Sequence, residues 1–326
     1  MSRGGSYARI VRAVAVGIAM FAAASAARAD DAAAAVGWLT RAATAARQLN
    51  YIGTIVYQHG NYVETSRLVH LFDAGEEYDK LVNLEGPPRE VIRSHGEVRC
   101  FYPDFKLVRV EPRTLRTGFP SLTPQQQKAL ADYYTFRKAE SVRVAGLDAQ
   151  AWVFEPKDGL RYGHKFWTDV ATGLILKARV VDENHGVLEQ FVFSDLEIGA
   201  KVDAEMVKPT WPAAPPGWKV RQPKTESETQ ETGWTVTRVP PGFVKIVDGY
   251  RGFEKARKVA HLVYSDGLVS VSVFIEPGSA APPPNGFSRQ NGLNVYARQV
   301  DDSLVTVLGQ VPALTLRQIA NSVTRR

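Results

Sequence analysis

RYGHKFWTDVATGLILKARVVDENHGVLEQFVFSDLEIG, from Arg161 to Gly199, reads as three strands in a row. Tyr162 to Thr168 is the first, Leu174 to Val181 the second and Val187 to Ile198 the third. Ala171-Thr172-Gly173 and Glu183-Asn184-His185-Gly186 interrupt them with residues that tolerate the left-handed backbone of a tight reversal. In the second strand Leu174, Leu176, Ala178 and Val180 fall on one side, and Lys177 and Arg179 on the other, the period of a pleated strand. In the third, Phe191 and Phe193 share a face, with Val192 and Leu196 on the other. Turns this short force antiparallel pairing, so the stretch is a meander.

Working upstream, the same pattern repeats. Tyr51–Gln58 and Tyr62–Phe72 flank a His59-Gly60-Asn61 turn, and Glu77–Leu84, Arg89–Ser94, Glu97–Tyr102, Leu107–Val110, Phe136–Val144 and Ala149–Phe154 read as further strands. Two helices are expected among them. One spans Asp31–Asn50, with Val36, Leu39, Ala43, Ala46 and Leu49 near helical spacing. The other opens at Thr123-Pro124-Gln125-Gln126, a cap, a first-turn proline and a capping-box glutamine. The fold class is therefore mainly β with some α, a large antiparallel sheet with helices on one face over residues 30–207.

Downstream, Pro209, Pro212, Pro215, Pro216 and Pro223 punctuate residues 208–232, which read as a semi-rigid, proline-rich linker. Residues 233–326 form a smaller α+β unit. Trp234–Val239 is a strand, Ser265-Asp266-Gly267 joins Ala260–Tyr264 to Leu268–Ile275, and Asn294–Val300 pairs with Leu304–Leu308. A helix from Pro312 carries Leu316, Ile319, Ala320 and Val323 on one side.

Residues 1–29 stand apart. A basic start with Arg3, Arg9 and Arg12, an apolar run from Ala13 to Ala24 and the small-x-small site Ala27-Arg28-Ala29 read as a secretory signal peptide, cleaved before Asp30 as the chain is exported. Removing it takes away four arginines and no acid, and the net charge falls from +6 to +2. That balance gives no argument for a nucleic-acid partner. The single cysteine, Cys100, excludes an internal disulfide.

Chemistry is absent from the motifs. His59, His70, His95, His164, His185 and His261 show no metal-ligand spacing, and there is no nucleophile elbow, phosphate loop or zinc-protease helix. No catalytic residue, metal or cofactor is expected, and an enzyme such as a hydrolase has no motif to stand on. What the sequence offers instead is apolar surface. Phe166 and Trp167 are adjacent and so point to opposite faces. A sheet apolar on both faces is either covered on both or lines a cavity. Both readings stay open, and the cavity reading names Phe166, Leu174, Leu176 and Val192 as lining.

The pattern Leu84-Glu-Gly-Pro-Pro-Arg-Glu-Val-Ile92, Tyr102-Pro103, Arg161-Tyr162, Trp167, Thr172-Gly173-Leu174, Lys177 and Leu188-Glu189-Gln190-Phe191 resembles the RseB/MucB family. So do Pro240-Pro241-Gly242-Phe243 and His261-Leu-Val-Tyr-Ser-Asp-Gly267. The resemblance implies a half-barrel similar to LolA and LolB followed by a small docking domain. It also implies a periplasmic regulator of the sigma-E envelope-stress pathway. Such a protein binds the periplasmic domain of a single-span anti-sigma factor (RseA/MucA-like) and protects it from regulated proteolysis. Lipopolysaccharide, lipid or mislocalised lipoprotein acyl chains would release that partner. Tyr250, Arg251, Phe253 and Arg298 are the partner-contact candidates. A lipoprotein or lipid carrier without regulatory role is the alternative, which leaves the second domain unexplained. Self-association into a homo-oligomer is left open.

Overall fold

The computed structural model describes residues 34–112, 124–222, 231–252, 258–278, 286–290 and 293–326. The signal segment, the Thr123 cap, Phe253 and the Pro282–Pro284 loop lie outside these residues.

Eleven consecutive strands build most of the larger unit. They are β1 (Tyr51–His59), β2 (Tyr62–Asp73), β3 (Glu76–Asn83), β4 (Glu90–Ser94), β5 (Glu97–Tyr102), β6 (Leu107–Pro112), β7 (Tyr134–Val144), β8 (Leu147–Pro156), β9 (Gly163–Asp169), β10 (Ile175–Val181) and β11 (Val187–Ile198). Their order is β6-β5-β4-β3-β2-β1-β11-β10-β9-β8-β7, so two meanders meet where β1 pairs with β11. The sheet does not close. Its β6 side gains a twelfth strand, β12 (Lys219–Arg221), which pairs in parallel with β6. Thus the proline-rich segment, expected as a spacer, is in part docked. Trp211 and Trp218 pack on the cluster of Ile92, Phe101, Val108 and Val110, and Thr210 donates twice to the buried Glu90 carboxylate, at 2.8 and 2.5 Å.

The strict alternation expected of β10 and β11 breaks at three register shifts, one of them opposite Val180 and Val181 near the start of β11. Such a bulge moves the later residues of its strand to the other face. The register slips between Ile175 and Lys177 in β10. Ile175 and Ala178 therefore side with Phe166, while Leu174 and Leu176 join a second cluster with Trp167. Opposite Thr54 and Ile55, β11 carries an extra residue, and Leu196 ends up clustered with Phe193 rather than facing away from it. Gly53 permits this close fit, because a Cβ there would stand 2.7 Å from the Phe193 ring.

One helix covers the sheet over residues 34–48 (α1). Its buried stripe is Ala35, Leu39, Ala42 and Ala45, rotated by about one residue from the expected face, with Trp38 half-buried beside it. Alanines on that stripe are strong helix formers and let the helix lie close to the strands. The second helix, α2 (Pro124–Tyr133), adds Leu130 and Ala131 to the same cluster.

The smaller unit holds a six-stranded sheet in the order β14-β15-β16-β19-β18-β17. Its strands are β14 (Val244–Gly252), β15 (Lys258–Ser265), β16 (Ser270–Pro277), β17 (Gly286–Gln290), β18 (Leu293–Val300) and β19 (Ser303–Gly309). The sequence reading did not find β14 and β17. A helix, α3 (Ala313–Ala320), packs Leu316 and Ile319 onto the core of Leu262, Val271, Val273, Ile275, Val305 and Val307. The expected long last helix is corrected here. It stops at Ala320, and Val323 belongs to β20 (Val323–Arg325), which pairs with β13 (Trp234–Val236). Pairing with β13 competes successfully with helical continuation, since Val and Thr are better strand than helix residues.

Candidate functional site

Three places in the fold bear on function: the helix-covered face of the large sheet, the joint between the two units, and a cleft beside that joint.

On the covered face, Trp38 of α1 packs in tilted and edge-to-face contacts with Trp152, Phe154 and Phe166 at ring separations of 5.6–6.0 Å, and its indole N–H donates to Thr168 Oγ1 at 2.8 Å. Phe166, Leu174 and Leu176 are all buried, and Val192 is half-buried. The four do not come together around one space. Phe166 belongs to the cluster under Trp38, and the other three belong to the cluster of Ala45, Tyr51 and Trp167. The far end of α1 is pinned by polar contacts. The Arg47 carbonyl accepts from His70 Nε2 at 3.2 Å, His70 Nδ1 meets Asp79 at 2.6 Å, and the Arg47 guanidinium pairs with Glu77 at 2.9 Å. His164 is also buried, stacked 5.9 Å from Phe166 with its Nε2 unpartnered. Burial alone lowers its pKa to about 4.

The joint is polar and buried. Arg161, in the loop between β8 and β9, has a side chain that is 0% exposed, and Asp266, in the turn between β15 and β16, is 1% exposed. The guanidinium donates to Asp158 Oδ1 at 3.2 Å, Asp266 Oδ2 at 3.3 Å and the Pro241 carbonyl at 2.6 Å. The rings of Tyr133, Tyr134 and Phe243 surround it at 4.8, 5.6 and 5.2 Å. Tyr134 Oη donates to Asp266 Oδ2 at 2.9 Å, and the other Asp266 oxygen accepts the Leu268 and Val269 N–H groups. Burial pushes the Asp266 carboxyl above its ordinary value, and the two backbone donors, the guanidinium and the phenol oppose that shift. Burial and the neighbouring Asp266 charge push the Tyr134 phenol well above its ordinary value, so it remains a donor. Around this centre Asn294 donates to Tyr162 Oη at 3.1 Å and Thr315 donates to the Leu160 carbonyl at 2.6 Å. Gly242, at φ +85°, lies so close to Tyr133 that a Cβ would stand 2.4 Å from its ring.

The cleft beside the joint has a volume of about 260 Å³. His59, Gly60, Asn61, Val187 and Leu188 line it from the large sheet, and Arg289, Asn294 and Gln310 from the small one. His59 presents a buried, unpartnered Nε2, and Gln310 hydrogen-bonds Glu189 across the gap. The lining residue Val187 is exposed and apolar (47%), as are Tyr62 (57%), next to Asn61, and Phe287 (50%), two residues from Arg289. Strand β17 ends the small sheet, so one of its backbone edges is unpaired in that sheet.

The expected partner-contact residues lie elsewhere on the small unit. Tyr250 is half-buried on the opposite edge strand β14 and donates to the Thr232 carbonyl at 3.0 Å. Arg298 donates to Asn321 at 2.8 Å. The backbone of Arg251 continues β14; its side chain, like Phe253, lies outside the described residues. Cys100 is a free thiol, half-buried, and burial pushes its pKa up.

The sequence reading missed the joint. Arg161 appeared there as part of a motif and Asp266 as a turn residue. Their contact spans 105 residues, and an Asp-Gly turn gives no sign that its carboxylate has a second task. Among the described residues no group of His, Cys, Asp or Glu could hold a metal ion, and no helix is long and apolar enough to cross a membrane.

Comparison with known proteins agrees with this architecture. The model of the MucB/RseB N-terminal domain matches residues 34–211, and that of the MucB/RseB C-terminal domain matches residues 228–324. The sigma factor AlgU regulatory protein MucB of Pseudomonas aeruginosa is 31% identical over 307 residues, 90% of this chain and 92% of that protein. The sigma-E factor regulatory protein RseB of Escherichia coli K12 is 25% identical over 282 residues, 86% of this chain and 87% of that protein. A crystal structure of MucB in complex with the periplasmic part of MucA superposes with a TM-score of 0.70 at 30% identity, covering 89% of this chain and 98% of that one. With both domain models matched in order along nearly the whole described chain, the protein belongs to the MucB/RseB family.

Proposed function

We propose that this protein is a periplasmic regulator that holds the periplasmic segment of a single-span anti-sigma factor and shields it from the protease that makes the first cut. The observation that carries the reading is the match of both domains to a family in which MucB has been solved with the periplasmic part of MucA. Residues 1–29 act as the cleaved signal that delivers the chain to the periplasm. The binding role rests on surfaces alone and calls for no catalytic group.

The cleft at the joint supports a docking place for that segment. It offers exposed apolar side chains around a polar floor, the arrangement of a recognition surface. It also lies next to the free edge of β17, where an extended chain could add a strand. Tyr250, Arg251, Phe253 and Arg298 are proposed as further contacts on the same unit. Release would come from an apolar ligand, such as a lipid or lipopolysaccharide acyl chain, taking the place of Trp38 over Phe166, while Leu174, Leu176 and Val192 belong to the neighbouring cluster and would offer a separate apolar contact. Helix α1 must then shift, and α2, packed in the same cluster, leads directly through Tyr133 and Tyr134 into the joint. Ligand and partner would thus be coupled through one connected set of contacts, by typically ~1–3 kcal/mol.

Capture of the purified anti-sigma periplasmic segment on immobilised protein tests the reading. Retention in detergent-free buffer is expected, and added lipopolysaccharide should lower it. An absence of retention sinks the regulatory role. Retention unaffected by saturating lipid leaves binding intact and removes the release step.

A further inference from the structure

Trp167 points to the face of the sheet opposite Phe166, and it carries an unusual load. Lys165 Nζ and Lys177 Nζ each stand 4.9 Å from its ring centroid, and Arg179 Cζ stands 5.4 Å away. In the β9–β10 register Lys165 lies directly across from Arg179, and Lys177 directly across from Trp167. Like charges facing each other on paired strands destabilise a sheet. Only part of this repulsion is answered. Glu140 pairs with Lys165 at 2.8 Å and also accepts a hydrogen bond from Trp167. Arg179 Nε donates to a neutral oxygen, Gln190 Oε1, at 2.6 Å. Among the described residues neither Lys177 nor Arg179 has a carboxylate within ion-pair distance. Burial, then Arg179 and Lys165, hold the Lys177 amine below its ordinary pKa, as expected of a crowded cation.

Three cations and one carboxylate leave two positive charges converging on one aromatic floor, and all three cationic side chains stay partly exposed. A phosphate group carries up to two negative charges near neutral pH. The forked donors of an arginine beside the point charge of a lysine suit its oxygens. We propose that Lys165, Lys177 and Arg179 over Trp167 form a binding site for a phosphate group, borne either by a soluble molecule or by a lipid headgroup. The test does not depend on the anti-sigma reading, because it reads anion binding to these three side chains and not capture of a partner.

Calorimetric titration of the purified protein tests it, with inorganic phosphate in one arm and phosphatidylglycerol-containing vesicles in the other. Variants Lys177→Gln and Arg179→Gln are compared with Lys138→Gln, an exposed lysine outside the cluster. At least one probe should bind, about tenfold more weakly in each cluster variant and unchanged in Lys138→Gln. Saturation by phosphate alone identifies a soluble ligand, and saturation by vesicles alone a headgroup; either supports the site. In a side-chain amine NMR titration the Lys177 pKa should rise when the anion is bound. Failure of both probes to bind, or equal loss in Lys138→Gln, overturns the proposal. The two cluster variants change different strand positions, so misfolding of one still leaves the other to decide.

Discussion

The joint and the covered face hold the molecule together by opposite means. At the joint, an arginine and an aspartate with no solvent exposure are satisfied by donors and acceptors from both units. Under α1, an alanine stripe and one tryptophan lie on a bed of aromatic rings. A desolvated ion pair tolerates little displacement, because every lost hydrogen bond strands a charge. An apolar contact is non-directional, and another greasy group can replace it at modest cost. The comparison assigns rigidity to one region and exchangeability to the other, and it can be broken by experiment.

The largest effect should come from the joint. Asp266→Ala leaves the Arg161 charge buried and unpaired, and the expected loss is ~3–5 kcal/mol of stability. Chemical denaturation should also split, with probes in the two sheets no longer reporting coincident transitions. A single coincident transition at wild-type midpoint would show that the pair does not hold the units together. Next, Trp38→Ala should cost about 3 kcal/mol, with amide exchange accelerated in residues 34–48 and little changed at Arg161. Equal acceleration at both places would erase the distinction between the regions.

Acid should act on the covered face. Unfolded, the His164 imidazole takes its proton near 6.5, and folded only near 4. Between those values the unfolded chain binds the additional proton, so stability is intact above about pH 6.5 and falls as the pH drops toward 4. The loss amounts to a few kcal/mol at most. In His164→Phe the part of the pH dependence due to this residue should vanish, which a series of denaturant midpoints would show. The smallest effect is Tyr134→Phe, about 1 kcal/mol, because Asp266 keeps its other donors.

How much of this was legible in the sequence depends on range. Turn chemistry is local, so Ala171-Thr172-Gly173 and Ser265-Asp266-Gly267 marked their reversals, and β1 to β11 were read close to their true limits. Bulges are set by pairing partners, so the shifted faces of Leu174, Leu176 and Leu196 were not legible. Strand β14 was hidden because Asp248-Gly249 looks like a turn in the middle of a short, mixed run that also holds Lys245 and Arg251. Val323 kept helical spacing with Ile319 and Ala320, and only its pairing with β13 reveals a strand. The joint needed Tyr134, Arg161, Pro241 and Asp266 to converge from four separate segments, and no window along the chain contains them together. The trio over Trp167 lay in plain view within the opening stretch, but only register turns Lys165 and Arg179 into neighbours.

Gly242 gives the joint a mechanical weak point. The units close over Tyr133 because nothing projects from that residue, and its backbone angle already disfavours anything that would. One methyl group placed there acts as a wedge, prising the halves apart without touching a charge. Such a wedged protein would open the joint with the Arg161–Asp266 pair chemically intact.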